Sequence, residues 1–124
     1  MNAMATGAPM TEVVSQRLDL RPQDLALLSA LLKQHLPQTE VWAYGSRVNG
    51  DGHEASDVDL VVRQPEDLMT KTTGLDELKD ALVESDLPIR VDVIDWARIP
   101  ESFRREIERG YVVIQDVVHG LSTR

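Results

Sequence analysis

Two aspartates one residue apart, Asp57 and Asp59, lead into the apolar run Leu60-Val61-Val62. Side chains alternate faces along a strand, so both carboxylates point one way while Val58 and Leu60 point the other. Carboxylates held side by side repel each other and share a proton unless a positive charge lies between them. A divalent cation answers that need, because Mg²⁺ favours a few carboxylates together with water and phosphate oxygens. With ten residues between it and Asp57, the pair Gly45-Ser46 follows the short apolar segment Val41-Trp42-Ala43-Tyr44. Glycine there lets the backbone come close to phosphate oxygens, and the serine hydroxyl and adjacent amides can donate hydrogen bonds to them. Arg47, next in line, is either a further phosphate contact or a solvated arginine. Phosphoryl chemistry with metal assistance is what these residue types can do together.

A further carboxylate on another strand could face the same cleft. Asp92 and Asp95 compete for the role on and just after the run Ile89-Arg90-Val91-Asp92-Val93-Ile94. Three residues apart on a strand, they point to opposite faces. Valines on both sides of Asp92 read as an interior strand, where a carboxylate calls for an explanation. Asp95, at the strand's end, is placed for a helix cap or a solvent contact. Both stay open on the residues alone, and the family motif described next aligns on Asp92. His53 has no second histidine or cysteine at ligand spacing, and Asp51 and Glu54 read as solvated neighbours.

Gly45-Ser46, ten residues, then Asp57-Val58-Asp59 resembles the G-S-x10-D-x-D motif of the polymerase-beta-like nucleotidyltransferases. The chain is most similar to their smallest members, the minimal nucleotidyltransferases paired with HEPN-domain toxins. The resemblance extends from about Leu25 to Ile114, through Arg90-Val91-Asp92-Val93-Ile94 and the closing Phe103-Arg104-x-Glu106-Ile107 stretch. It implies a nucleotidyltransferase palm, an ATP (or other NTP) site at Gly45, Ser46 and Arg47, and metal ligation and catalysis by Asp57, Asp59 and Asp92. Two Mg²⁺ ions are the implied cofactors, with Mn²⁺ as the alternative. The implied reaction is transfer of AMP from ATP to a tyrosine of the HEPN toxin, which makes the chain an antitoxin. Two other readings stay open: a non-catalytic antitoxin that masks its partner, and transfer to a small molecule.

The elements that must position these residues follow from periodicity and punctuation. Pro22 suits the first turn of a helix whose Leu25, Leu28 and Leu32 form one buried stripe before Pro37 stops it. The connector after the motif strands holds Pro65 and Thr70-Lys71-Thr72-Thr73 and reads as a flexible loop, from which Lys71 is a further phosphate contact to weigh. Thr73-Gly74-Leu75-Asp76 has capping-box spacing for a helix to about Glu84. Pro100 opens a helix ending at the cap Gly110, and Tyr111-Val112-Val113-Ile114 is the last strand. This order predicts an α+β fold, an α/β sandwich with a mixed sheet of about four strands flanked by helices. Residues 1–18 are expected as a flexible tail, 19–116 as the domain and 117–124 as a second tail.

The 124 residues are a single-domain length. With 13 basic and 21 acidic residues the formal charge is −8, which argues against direct nucleic-acid binding and suits a metal-borne nucleotide or a basic protein partner. The sequence has no cysteine, so disulfides and thiolate metal sites are excluded. No signal segment or membrane span is evident, and a cytoplasmic location is expected.

Overall fold

The computed structural model describes residues 18–49 and 57–117. Helix α1 (Pro22–His35) leads into β1 (Glu40–Tyr44), the one-turn α2 (Ser46–Asn49) and β2 (Val58–Arg63). Helix α3 (Leu75–Glu84), β3 (Val91–Asp95), a 3-10 turn (Trp96–Arg98), α4 (Glu101–Glu108) and β4 (Tyr111–Gln115) follow in the described residues. The four strands form one mixed sheet in the order β3-β2-β1-β4. β1 is antiparallel to both its neighbours, and β2 and β3 run parallel. The α+β architecture expected from the sequence is the one found. A parallel pair needs a crossover, and the segment carrying α3 supplies it.

The sheet has two dissimilar faces. Leu25, Leu28 and Leu32 of α1 and Leu78 and Leu82 of α3 pack on Val41, Ala43, Val58, Leu60, Val62 and Val112, giving an aliphatic core. Each of those buried leucines is worth roughly 1.5–3 kcal/mol of transfer free energy. Leu18 is fully buried in this core. On the opposite face Trp42, Val61, Trp96 and Ile107 are buried together, with Tyr44, Phe103 and Tyr111 against them. Both tryptophans, both tyrosines and the single phenylalanine of the chain thus lie on that face. Trp42 stacks on Tyr111 at 3.9 Å between centroids and meets Trp96 edge-on at 5.4 Å. The Arg63 guanidinium lies over Trp42 at 4.2 Å and over Trp96 at 4.6 Å. Its Nε is 2.9 Å from Glu40 Oε1, an ion pair that lacks hydrogen-bond geometry.

Three local expectations change. α3 starts from Gly74, whose φ of 85° puts it in the left-handed region, and no side chain caps the helix; the capping box does not form. β3 is an edge strand rather than an interior one, and it runs from Val91 to Asp95. The loop before α3 is anchored rather than loose, because the buried Asp95 accepts the Thr72 backbone N–H at 2.8 Å and lies 3.4 Å from Thr72 Oγ1.

Candidate active site

The motif residues meet where β1, β2 and β3 lie side by side. Register pairs Tyr44 with Tyr111 and with Asp59, and Asp59 with Asp92. Partners in register share a face, so Tyr111, Tyr44, Asp59 and Asp92 form one rank across all four strands. Asp57 stands just ahead of β2 and by alternation belongs to the same face. This is the aromatic face, on which α4 and the 3-10 turn cover the far part of the sheet. The carboxylate end lines a cleft of about 910 Å³ whose walls include Tyr44, Asp59, Arg90, Asp92 and Phe103. A smaller hollow of about 310 Å³ lies beside it, between Gly45, Glu106 and Arg109. Tyr44 and Phe103 line both, packed edge to face at 5.8 Å. A third hollow, about 690 Å³ between the start of α3 and Asp95, contains none of the motif residues.

The electrostatics of the rank match the chemistry expected of it. Burial, then the charges of Asp92 and Asp57, raises the Asp59 pKa above the ordinary aspartate value. The Tyr44 phenol is pushed up to about 12 by burial, then by Asp59 and Asp92. Negative charge is therefore crowded here, and a cation relieves it. The only cation bonded to these carboxylates among the described residues is Arg90, with Nε 3.2 Å from Asp92 Oδ1 and 3.9 Å from Asp57 Oδ2. As they stand, no three acidic or histidine side chains among the described residues form a ready-made metal cage. The donor set nonetheless suits a hard divalent ion: three aspartates on one face, two of them turned to a guanidinium that marks where positive charge is favoured.

Gly45 has φ +88°, and a Cβ built on it would lie 2.6 Å from Asp59 Oδ2. Its backbone thus approaches one of the carboxylates themselves, a constraint beyond the close phosphate approach expected from sequence. Ser46 opens α2 directly after this turn, and its side chain lies outside the described parts. Asp51, His53 and Glu54 also fall outside the described residues.

Arg47 is buried rather than solvated. It is 7% exposed, its Nη1 donates to the Asp19 carbonyl, and its own carbonyl accepts the Asp19 N–H at 2.8 Å. That clamp holds the chain ahead of α1 against α2. Asp95 points away from the rank, as its spacing from Asp92 requires, and holds Thr72 and the Ala97 N–H instead. Lys71 is exposed at the surface of the connector. Sequence reasoning missed Tyr44 and Arg90. Both were within reach of strand alternation, since Arg90 precedes Asp92 by two residues and Tyr44 adjoins the Gly45 turn.

Comparison with known proteins agrees with this geometry. Residues 25–121 match the nucleotidyltransferase domain family. A Haemophilus influenzae protein named "Probable protein adenylyltransferase MntA" is 44% identical over 102 residues, spanning 81% of this chain and 86% of that protein. Among solved structures, one described as a toxin-antitoxin with AMP-PNP superposes with a TM-score of 0.60, covering 77% of this chain and 75% of its own. At 18% identity that likeness speaks for the fold. With the motif carboxylates ranked on one sheet face and the match extending over most of its length, the chain belongs to the nucleotidyltransferase domain family and is a nucleotidyltransferase.

Proposed function

We propose that this chain is a metal-dependent protein adenylyltransferase, an antitoxin acting in the cytoplasm that moves AMP from ATP onto a tyrosine hydroxyl of a HEPN-type toxin. The observation that carries the reading is the alignment of Asp59 and Asp92 in one register row, with Asp57 on the same face and Gly45 against Asp59. The protein adenylyltransferase name of the 44% identical relative supports the reaction class. The neighbour described as a toxin-antitoxin with AMP-PNP supports the pairing with a toxin.

Asp57, Asp59 and Asp92 would hold Mg²⁺, which when bound supplies charge neutralisation for the entering and leaving oxygens. The rest falls to the chain itself. The Gly45 turn would bring backbone amides against the triphosphate, with Ser46 as the motif's hydroxyl donor. Asp92, 42% exposed on the cleft wall, accepts the proton of the incoming hydroxyl. The tyrosine oxygen then bonds to the α-phosphorus as the bond to the β-phosphate oxygen breaks, and pyrophosphate departs with the electron pair. Tyr44 and Phe103 wall the cleft and limit water beside the reacting atoms.

The test is intact mass of the purified toxin after incubation with this chain, ATP and Mg²⁺. Each adenylyl group adds about 329 Da as pyrophosphate leaves. Asp57→Asn/Asp59→Asn should fold and add none. If that double variant protects cells from the toxin as well as the parent does, the chain works by masking and the catalytic reading fails.

A further inference from the structure

Arg90 is pinned at its backbone and exposed at its head. Its carbonyl accepts the Val58 N–H at 2.9 Å, which fixes it beside the start of β2 and hence beside Asp57. Its side chain is 74% exposed, yet it is turned inward onto Asp92 at 3.2 Å, within hydrogen-bond range, and toward Asp57 at 3.9 Å. Asp92 Oδ1 and Asp57 Oδ2 are therefore engaged with the guanidinium, and Asp59, beside them on the same face, makes no ion pair with it. Three carboxylates face one fixed positive charge, an incomplete neutralisation that a divalent ion improves on.

Resting on the metal-dependent reading above, we propose that Arg90 is the built-in counter-cation of this site: it holds Asp57 and Asp92 until a divalent ion takes them, and is then handed over to the phosphates of the nucleotide. The exchange follows from charge. Once a dication neutralises most of the three carboxylates, their pull on Arg90 weakens. A triphosphate arriving at the same cleft mouth offers denser negative charge, in the oxygen geometry that guanidinium matches in pairs. The long exposed side chain can swing between the two without moving β3. Arg90 is thus a positioning residue that lowers the affinity for metal alone and raises that for nucleotide, so the site fills with metal and nucleotide together.

The experiment compares the full chain with Arg90→Gln and Arg90→Lys. Mn²⁺ binding without nucleotide is followed through the free-ion electron paramagnetic resonance signal at low salt. Binding of α,β-methylene-ATP, which cannot transfer its adenylyl group, is followed by calorimetry at saturating Mn²⁺. Arg90→Gln should bind Mn²⁺ about 3- to 10-fold tighter, from the loss of a competing ion pair, and the nucleotide weaker by about the same factor. Arg90→Lys should fall between, and added salt should narrow every difference. Equal Mn²⁺ affinity in parent and Arg90→Gln overturns the counter-cation role. Unchanged nucleotide affinity overturns the handover. No Mn²⁺ binding by either protein sinks the metal-dependent reading, and this proposal with it.

Discussion

Replacing Gly45 by alanine should disturb the active carboxylates through two separable causes. The first is backbone strain: a residue with a Cβ at φ +88° pays roughly 1–2 kcal/mol for the left-handed region. The second is contact, since the new Cβ would stand 2.6 Å from Asp59 Oδ2. That oxygen is the end of a side chain, so it can turn aside, at a rotamer cost of about 0.5–1.5 kcal/mol. The Cβ of Asp59 lies at 3.6 Å, ordinary contact, so shortening residue 59 to alanine removes the clash and leaves the strain. Urea unfolding of parent, Gly45→Ala, Asp59→Ala and the double variant, in chelator, separates the two. The single Gly45 change should cost about 1.5–3.5 kcal/mol in the parent and about 1–2 in the Asp59→Ala background. Mn²⁺ binding should fall in Gly45→Ala because Asp59 is displaced. An identical cost in both backgrounds would refute the contact between turn and carboxylate.

Two further outcomes follow from the same rank. Asp59→Asn should stabilise the metal-free protein near neutral pH by up to about 1 kcal/mol, or up to about 4–8 °C in melting temperature, because burial disfavours the ionised carboxylate and like charges opposite each other on neighbouring strands repel. The sign follows from a folded pKa raised above the 3.8 of an unperturbed aspartate: the penalty is absent below that value and grows as pH rises through the interval up to the folded pKa. Melts that show no gain at neutral pH, or an equal gain in acid, would contradict it. Asp95→Ala should cost about 1–3 kcal/mol by orphaning the Thr72 N–H, yet keep Mn²⁺ affinity. Asp92→Asn should do the reverse, and calorimetry on the pair decides which aspartate serves the metal.

What could be read from the sequence was what short-range pattern encodes. The α1 stripe with Pro22 at its start, the shared face of Asp57 and Asp59, and the opposite senses of Asp92 and Asp95 all depend on neighbours within a few residues. The errors lie where distant parts of the chain meet. The solvated reading of Arg47 stayed open because nothing nearby announces Asp19, 28 residues back, whose carbonyl its guanidinium reaches. The connector looked loose because its anchor, Asp95, lies 23 residues beyond Thr72. β3 read as interior because valines flank Asp92 in the sequence, but strand order is a property of topology and not of one strand's composition. The capping box failed for a local reason: with Gly74 itself at the N-cap, Thr73 stands one position too early for its hydroxyl to reach the first-turn amides.

Because every aromatic ring of the chain lies on the carboxylate face, the protein's ultraviolet spectrum is one-sided. Absorbance above 270 nm, near-ultraviolet dichroism and intrinsic fluorescence all arise from Trp42, Tyr44, Trp96, Phe103 and Tyr111. The leucine-rich layer of α1 and α3 on the other side contributes nothing to them. Occupancy of the cleft can therefore be watched without a label. A partner that docks on the helical layer alone leaves these signals almost untouched, so an unchanged emission spectrum in a complex known to have formed places the partner on the helices rather than over the site.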